Sequence, residues 1–299
     1  IVAGSFIFMG GLLDWMNVMD EHREAATAYI TVIIAGLFFS IIYNVLAGNL
    51  RAIGDAYTPL IFLVLSAVLN VALDILCVKY LGMGVKGAAV ATVASQAVSV
   101  ILCFIYTWKK YPFLHFRIKD FVPEGVLVRH MLESGMSMGL MSCLVSFGTL
   151  SLQTAINTLG TNTIVAHAAT RKLTNLYMLP FSVLGTTMAT YSGQNYGAGK
   201  PKRVWLGIKA SALMMIIYAA FTFVLLMLGA KYFALIFVDP SETEILLDTE
   251  LFLHISCTFF PTLGLLCILR YTIQGVGFTN LAMFSGVAEM IARILVSLY

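Results

Sequence analysis

The chain alternates between long apolar runs and short polar breaks. A bilayer core about 30 Å thick asks for roughly 20 apolar residues per helix. Eight stretches meet or nearly meet that length: 27–50, 57–78, 85–107, 132–157, 163–190, 206–229, 248–270 and 280–299. A shorter apolar remnant precedes them at about 1–19. These runs are too continuous for the roughly ten-residue alternating strands of a membrane barrel. They hold internal Gly and Pro, including Gly36, Gly148, Pro180, Gly185, Pro261 and Gly264. A helical bundle tolerates those where neighbouring helices shield the backbone. The pattern predicts an all-α polytopic membrane protein.

Composition removes the alternatives. Of 299 residues, 60% are hydrophobic and only 11% charged, and the mean hydropathy is +0.90. Soluble domains carry about 25% charged residues, so a soluble enzyme, a disordered chain and a nucleic-acid binder are all excluded. Both ends, Ile1 and Tyr299, lie in or directly after apolar runs, and residues 1–19 lack the basic n-region and cleavage site of a signal peptide. The expectation is a bundle incomplete at both ends. Five cysteines without C-x-x-C spacing are expected as small buried hydrophobes, and five histidines form no cluster.

The net charge of +3 matters only through its distribution. Alternate loops hold ten Lys or Arg (Arg51; Lys109, Lys110, Arg117, Lys119 and Arg129; Lys200, Lys202 and Arg203; Arg270 at a span margin) against four in the other set (Arg23, Lys79, Lys86, Lys231). The richer set is cytoplasmic by the positive-inside rule. It contains the 108–130 connection, where Trp108, Tyr111, Phe113 and Phe116 alternate with cations in the manner of a membrane interface. A second such loop, 191–205, holds Gly193, Asn195, Gly197 and Gly199 in GQNYGAGKPKR; it matches neither nucleotide fingerprint, so a tight turn before a helix starting near Pro201 is expected.

At a constant offset of 219, Leu50-Arg51 meets Leu269-Arg270, Ser66 meets Ser285, Val68 meets Val287, Asn70 meets Glu289 and Asp74 meets Arg293. Same-sense repeats are one common plan of secondary transporters.

Polar groups inside spans are costly and mark candidate sites. Asn70 and Asp74 are four apart and share a helix face. They suit a cation or a proton; a helix-packing hydrogen bond is the alternative. Thr92 and Gln96 repeat the spacing among small residues, and either complete the Asp74 site or stitch helices together. Gln153 and Asn157 do so again, with Ser137, Ser142, Ser146 and Ser151 on the same segment, giving it a cavity-lining character. Of the adjacent Arg171 and Lys172, one is expected to snorkel and the other to meet a carboxylate, a carbonyl or a filled cavity. Glu289 and Arg293 stand in the favourable order for a structural helix ion pair, and Glu133 beside Arg129 and His130 predicts a surface or gate contact. Tyr43, Tyr177, Phe181 and Tyr191 are candidates to line a path for aromatic or cationic substrates, packing being the simpler role.

The strings LRAIGDAYTPL, LNVALD, LGMGVKGAAVAT, INTLGTNTIVAHAA and PFSVLG…GQNYGAGKPKR, in that order, resemble the multidrug and toxic compound extrusion (MATE) family. The resemblance implies two six-helix lobes around a central cavity, with this chain running from within helix 3 to helix 11. It implies a partial N-terminal lobe at 1–112, a cytoplasmic interlobe linker at 113–129 and a partial C-terminal lobe at 130–299. It implies a secondary transporter rather than an enzyme, working as a monomer in a bacterial inner membrane without a cofactor. Such a protein exports organic cations or amphipathic compounds in exchange for Na⁺ or H⁺. Asn70, Asp74 and Thr92 match the family's N-lobe cation site, so a transported Na⁺ at Asp74 is the only metal expected. The stretch CLVSFGTLSLQ lacks the carboxylate of the alternative C-lobe site. A lipid-linked saccharide flippase of the same broad superfamily, or a non-transporting membrane scaffold, are the competing functions.

Overall fold

The computed structural model describes residues 20–115 and 122–298. The apolar remnant at 1–19 and the interfacial residues Phe116, Arg117 and Lys119 lie outside the described residues. Contacts divide the chain into two units, Ile1–Phe121 and Val122–Tyr299. Among the described residues every regular element is helical.

Unit 1 has helices α1 (Asp20–Ala52), α2 (Tyr57–Asp74) and α3 (Gly84–Lys110), with a π-helical segment, Ile75–Tyr80, directly after α2. Helix α3 packs against both α1 and α2, while α1 and α2 touch each other little. Its small residues allow this, Ala89, Ala91, Ser95 and Ser99 being buried. The Ser66 hydroxyl donates to the Ser95 carbonyl at 2.8 Å, and Ser99 to the Phe62 carbonyl at 3.1 Å. An apolar cluster of Leu46, Leu50, Val100 and Cys103 closes the α1–α3 seam.

Unit 2 has helices α4 (Gly125–Ile156), α5 (Thr161–Gly197), α6 (Pro201–Ala234), α7 (Thr243–Thr258), α8 (Phe260–Gly275) and α9 (Thr279–Leu298). Helix α4 pairs extensively with α9, and α5 packs on α6, α7 and α8. Phe181, Met188, Met215, Leu226, Cys257, Phe260 and Ile268 form the main core. Tyr218 donates to the Tyr177 carbonyl at 2.9 Å, three residues before Pro180, and so ties α6 to α5. The outer faces of both units carry long rows of exposed Leu, Ile, Val and Phe, as lipid contact requires.

The eight expected spans all occur as helical segments, and the described protein is an all-α polytopic membrane fold. Several details differ from the sequence pattern. The 248–270 run is two helices, α7 and α8, bent by 51° at a break beside Pro261. Among the described residues, six helices, or seven spans with that bent pair, are long and apolar enough to cross a membrane; α5 is not among them, being rich in Thr, Asn and Ser besides Arg171 and Lys172. The connection expected to run to residue 130 is shorter, because α4 already begins at Gly125.

The glycine-rich turn is also shorter than expected. Gly193, Asn195 and Gly197 belong to α5, and only Gly199, with φ +69°, sits in the turn before Pro201 opens α6. Gly193 is small for packing: a Cβ there would lie 2.8 Å from the Gly275 carbonyl oxygen of α8. Arg270, counted at a cytoplasmic margin, lies inside α8 with its side chain 13% exposed. Without it the basic count is nine against four.

Candidate functional site

In unit 1, α2 carries Asn70 and Asp74 on one face toward α3. Asn70 Nδ2 donates to Thr92 Oγ1 at 3.4 Å, and Thr92 in turn donates to the Ala88 carbonyl at 3.0 Å. Asp74 is partly buried, and its Oδ1 is shielded from solvent with no hydrogen-bond partner among the described residues. The helix changes from α to π at this residue, Asp74 being the last of α2. Such π segments recur at functional sites, where the widened turn re-aims side chains and backbone carbonyls. A shielded carboxylate oxygen next to an amide and a hydroxyl is a ready acceptor for a proton or a monovalent cation.

The structure separates the other candidates. Gln96 does not join Thr92; its Oε1 accepts the Ser40 hydroxyl at 2.6 Å and so ties α3 to α1. Tyr43 donates to the Pro59 carbonyl at 2.8 Å, a packing contact between α1 and α2. Tyr177 lies edge-on to Phe233, with ring centroids 5.8 Å apart, Phe181 is a buried core residue, and Tyr191 donates to the Arg203 carbonyl at 3.3 Å. Arg171 is exposed on α5, and Lys172 lies 5.5 Å from the Phe237 ring centroid.

On α4, Gln153 donates to Asn157 at 3.0 Å at the helix end. Ser137 and Ser151 bond Asn280 and Ser297 of α9. Ser142 and Ser146 do border a groove of about 260 Å³, with Cys143, Phe147 and Leu150. Cys143 is thus exposed, whereas Cys77, Cys103 and Cys257 are buried as expected. Glu133 is an exposed partner of Arg129 at 2.7 Å.

One polar cluster was not expected from the sequence, and a second extends the expected Glu289–Arg293 ion pair by Arg270 and Thr149. Between α1 and α2, Asp55 accepts Tyr106 at 3.0 Å, Tyr111 at 2.8 Å and the Thr58 N–H at 3.2 Å. Burial opposes ionisation of this carboxyl, but the hydrogen bonds from Tyr111, Thr58 and Tyr106 prevail and hold it far below the usual carboxylate range. Asp55 followed by Thr58 is a helix-start pattern that was available in the sequence. In unit 2, Glu289 bridges two guanidiniums: Arg293 at 2.5 Å on its own helix and Arg270 of α8 at 2.8 Å. Arg293 also bonds Thr149 of α4 and points to the Val145 carbonyl at 3.5 Å.

These features define a helical membrane protein with polar clusters held inside its bundles. Comparison with known proteins makes this specific. The MatE family profile matches residues 1–76 and 138–298, and the chain belongs to that family. It is 28% identical over 277 residues to the probable multidrug resistance protein YpnP of Bacillus subtilis (strain 168), covering 92% of this chain and 61% of that protein. It is 24% identical over 233 residues to the FAD transporter of Shewanella oneidensis, covering 75% of this chain and 50% of that one. The chain thus spans between a half and about three fifths of these relatives' length. A solved structure, MATE in the bent conformation, superposes with a TM-score of 0.85 at 23% identity, over 100% of this chain and 72% of that one, which shows a shared fold.

Proposed function

We propose that the chain forms part of a secondary active exporter of organic cations or other amphipathic compounds, driven by inward movement of Na⁺ or H⁺. The observation that carries this is the shielded, unpartnered Asp74 Oδ1 at the α-to-π junction, with the Asn70–Thr92 pair one turn away. An ion shifts a conformational balance only if it binds one state better than the other. Asp74 supplies that difference when it is hydrated in one state and occluded in the next. Alternating access by two lobes then couples ion entry to release of cargo.

Family membership and relatives named as multidrug resistance proteins support export as the activity. Those relatives are bacterial, which supports the cytoplasmic membrane as the site of action, with the 108–130 and 191–205 regions on the cytoplasmic side. No cofactor enters the scheme, and one copy suffices for it. The test is Asp74→Asn in the full-length protein, reconstituted in proteoliposomes under separately imposed Na⁺ and pH gradients. Ion-driven flux should vanish while membrane insertion and folding persist; wild-type coupled flux in the variant refutes the assignment.

A further inference from the structure

We propose that the Arg270–Glu289–Arg293 cluster of unit 2 is a binding subsite for an anionic group, a carboxylate or a phosphate, carried by an amphipathic ligand. Glu289 lies ten residues into α9, about 15 Å from its start and so near the middle of this 20-residue helix. Charges at such depth are normally paired. Here the pairing is incomplete: two guanidiniums share one carboxylate, leaving a net positive charge.

The surplus resides on Arg270. Arg293 is occupied by Glu289, Thr149 and the Val145 carbonyl. Arg270 gives one nitrogen to Glu289, while its buried Nε has no partner among the described residues. One turn along the same face, Gln274 is only 8% exposed, its Oε1 is likewise unpartnered, and its Nε2 has only a weak contact with Met141 Sδ at 3.6 Å. Rotating that amide by half a turn places Nε2 at the unpartnered Oε1 position, four residues along α8 from Arg270. A guanidinium edge plus an amide N–H is a standard receptor for carboxylate and phosphate oxygens. A purely structural ion pair needs neither the second arginine nor the orphaned donor. The internal repeat sharpens the contrast, since Asp74 of unit 1 aligns with Arg293 and Asn70 with Glu289. One of these equivalent positions, Asp74 against Arg293, therefore carries opposite charge.

This inference rests on the transport reading only in naming cargo as an occupant; equilibrium binding tests it without any ion gradient. The probes are fluorescein, an anion, and rhodamine 6G, a cation on a similar ring system. Binding to the purified full-length protein is read by fluorescence polarisation, with thermal unfolding as the folding control. Fluorescein should bind the wild type, Arg270→Gln should weaken it about tenfold or more, and Glu289→Gln should tighten it. Rhodamine 6G should not follow these changes. Where Arg270→Gln does not fold, Arg270→Lys keeps the charge, loses the Nε donor and gives a smaller weakening. Repeating the titration in nanodiscs of phosphatidylcholine and of phosphatidylglycerol distinguishes the sources. Displacement of the dye by phosphatidylglycerol alone assigns the subsite to a lipid phosphate, and its absence assigns it to a soluble ligand. No fluorescein binding, or affinities equal within about twofold across the folded variants, overturns the proposal.

Discussion

Asp55 is the side chain whose replacement tests the fold of unit 1 most directly. It sits in the turn between α1 and α2, 13% exposed, where it receives two tyrosine hydroxyls from the end of α3 and a backbone N–H from its own turn. Lys110 stands 3.6 Å away and half exposed, so it adds little through screened charge. Hydrogen bonds to an ionised acceptor contribute about 1.5–3 kcal/mol each. Asp55→Asn keeps one acceptor oxygen but loses the charge and one acceptor, so a cost of about 2 kcal/mol is expected. That corresponds to a Tm lower by several degrees for a chain of this length.

The pH dependence carries the sign. The folded Asp55 carboxyl lies below its unfolded value, so its contribution is complete above that unfolded value, near 3.9, and is lost as pH falls toward the folded one. Below pH about 3.9 the gap between wild type and Asp55→Asn should narrow by about 1.4 kcal/mol per pH unit. The assay is thermal unfolding of detergent-solubilised protein at one fixed scan rate, from pH 8 to pH 3. A gap that is absent at pH 7, or unchanged at pH 3, refutes the account of Asp55 as an ionised acceptor joining the three helices.

Two further outcomes follow from close contacts. A Cβ on Gly275 would lie 2.1 Å from the Ala189 carbonyl oxygen, so Gly275→Ala should cost about 3 kcal/mol or more. Gly48 of α1 has nothing within 4 Å of such a Cβ, and Gly48→Ala should be neutral or stabilising by up to about 1 kcal/mol; equal Tm values for the two variants contradict this. In a double-mutant cycle, Ser40→Ala and Gln96→Ala should couple by about 0.6–2 kcal/mol, whereas Thr92→Ala and Gln96→Ala should be nearly additive. Stronger coupling of Gln96 to Thr92 than to Ser40 reverses the assignment of Gln96 to the α1 seam.

The helices were legible because a bilayer imposes its thickness on the sequence, and runs of that length survive any local preference. Their partners were not. Thr92 and Gln96 share a face by spacing, yet α3 lies against two helices and its broad inner face serves both. Thr92 meets α2 and Gln96 meets α1. Gly193 and Gly197 resembled turn signals because water-soluble helices avoid glycine, whereas membrane helices use it for close approach. The contact of Gly193 with the Gly275 carbonyl is tertiary, and no local pattern announces it. Arg270 looked like a loop cation because it lies five residues from the end of α8; only folding brings it to Glu289.

The repeat shows why the chemistry must be read separately in each unit. Asn70–Asp74 and Glu289–Arg293 keep the same spacing at equivalent positions of α2 and α9. Asn70 reaches α3, and Asp74 keeps an oxygen free among the described residues. Glu289 instead reaches back to α8, and Arg293 crosses to α4. Spacing fixes which face of a helix carries the polar pair, while the neighbouring helix decides whether that pair is satisfied. Where the neighbour answers every donor and acceptor, the pair stabilises packing. Where one atom is left over, as on Asp74 and on Arg270, burial without a partner is costly, and a ligand of the matching charge relieves that cost. On the two readings proposed above, the leftover carboxylate oxygen of Asp74 suits a cation and the leftover guanidinium N–H of Arg270 suits an anion.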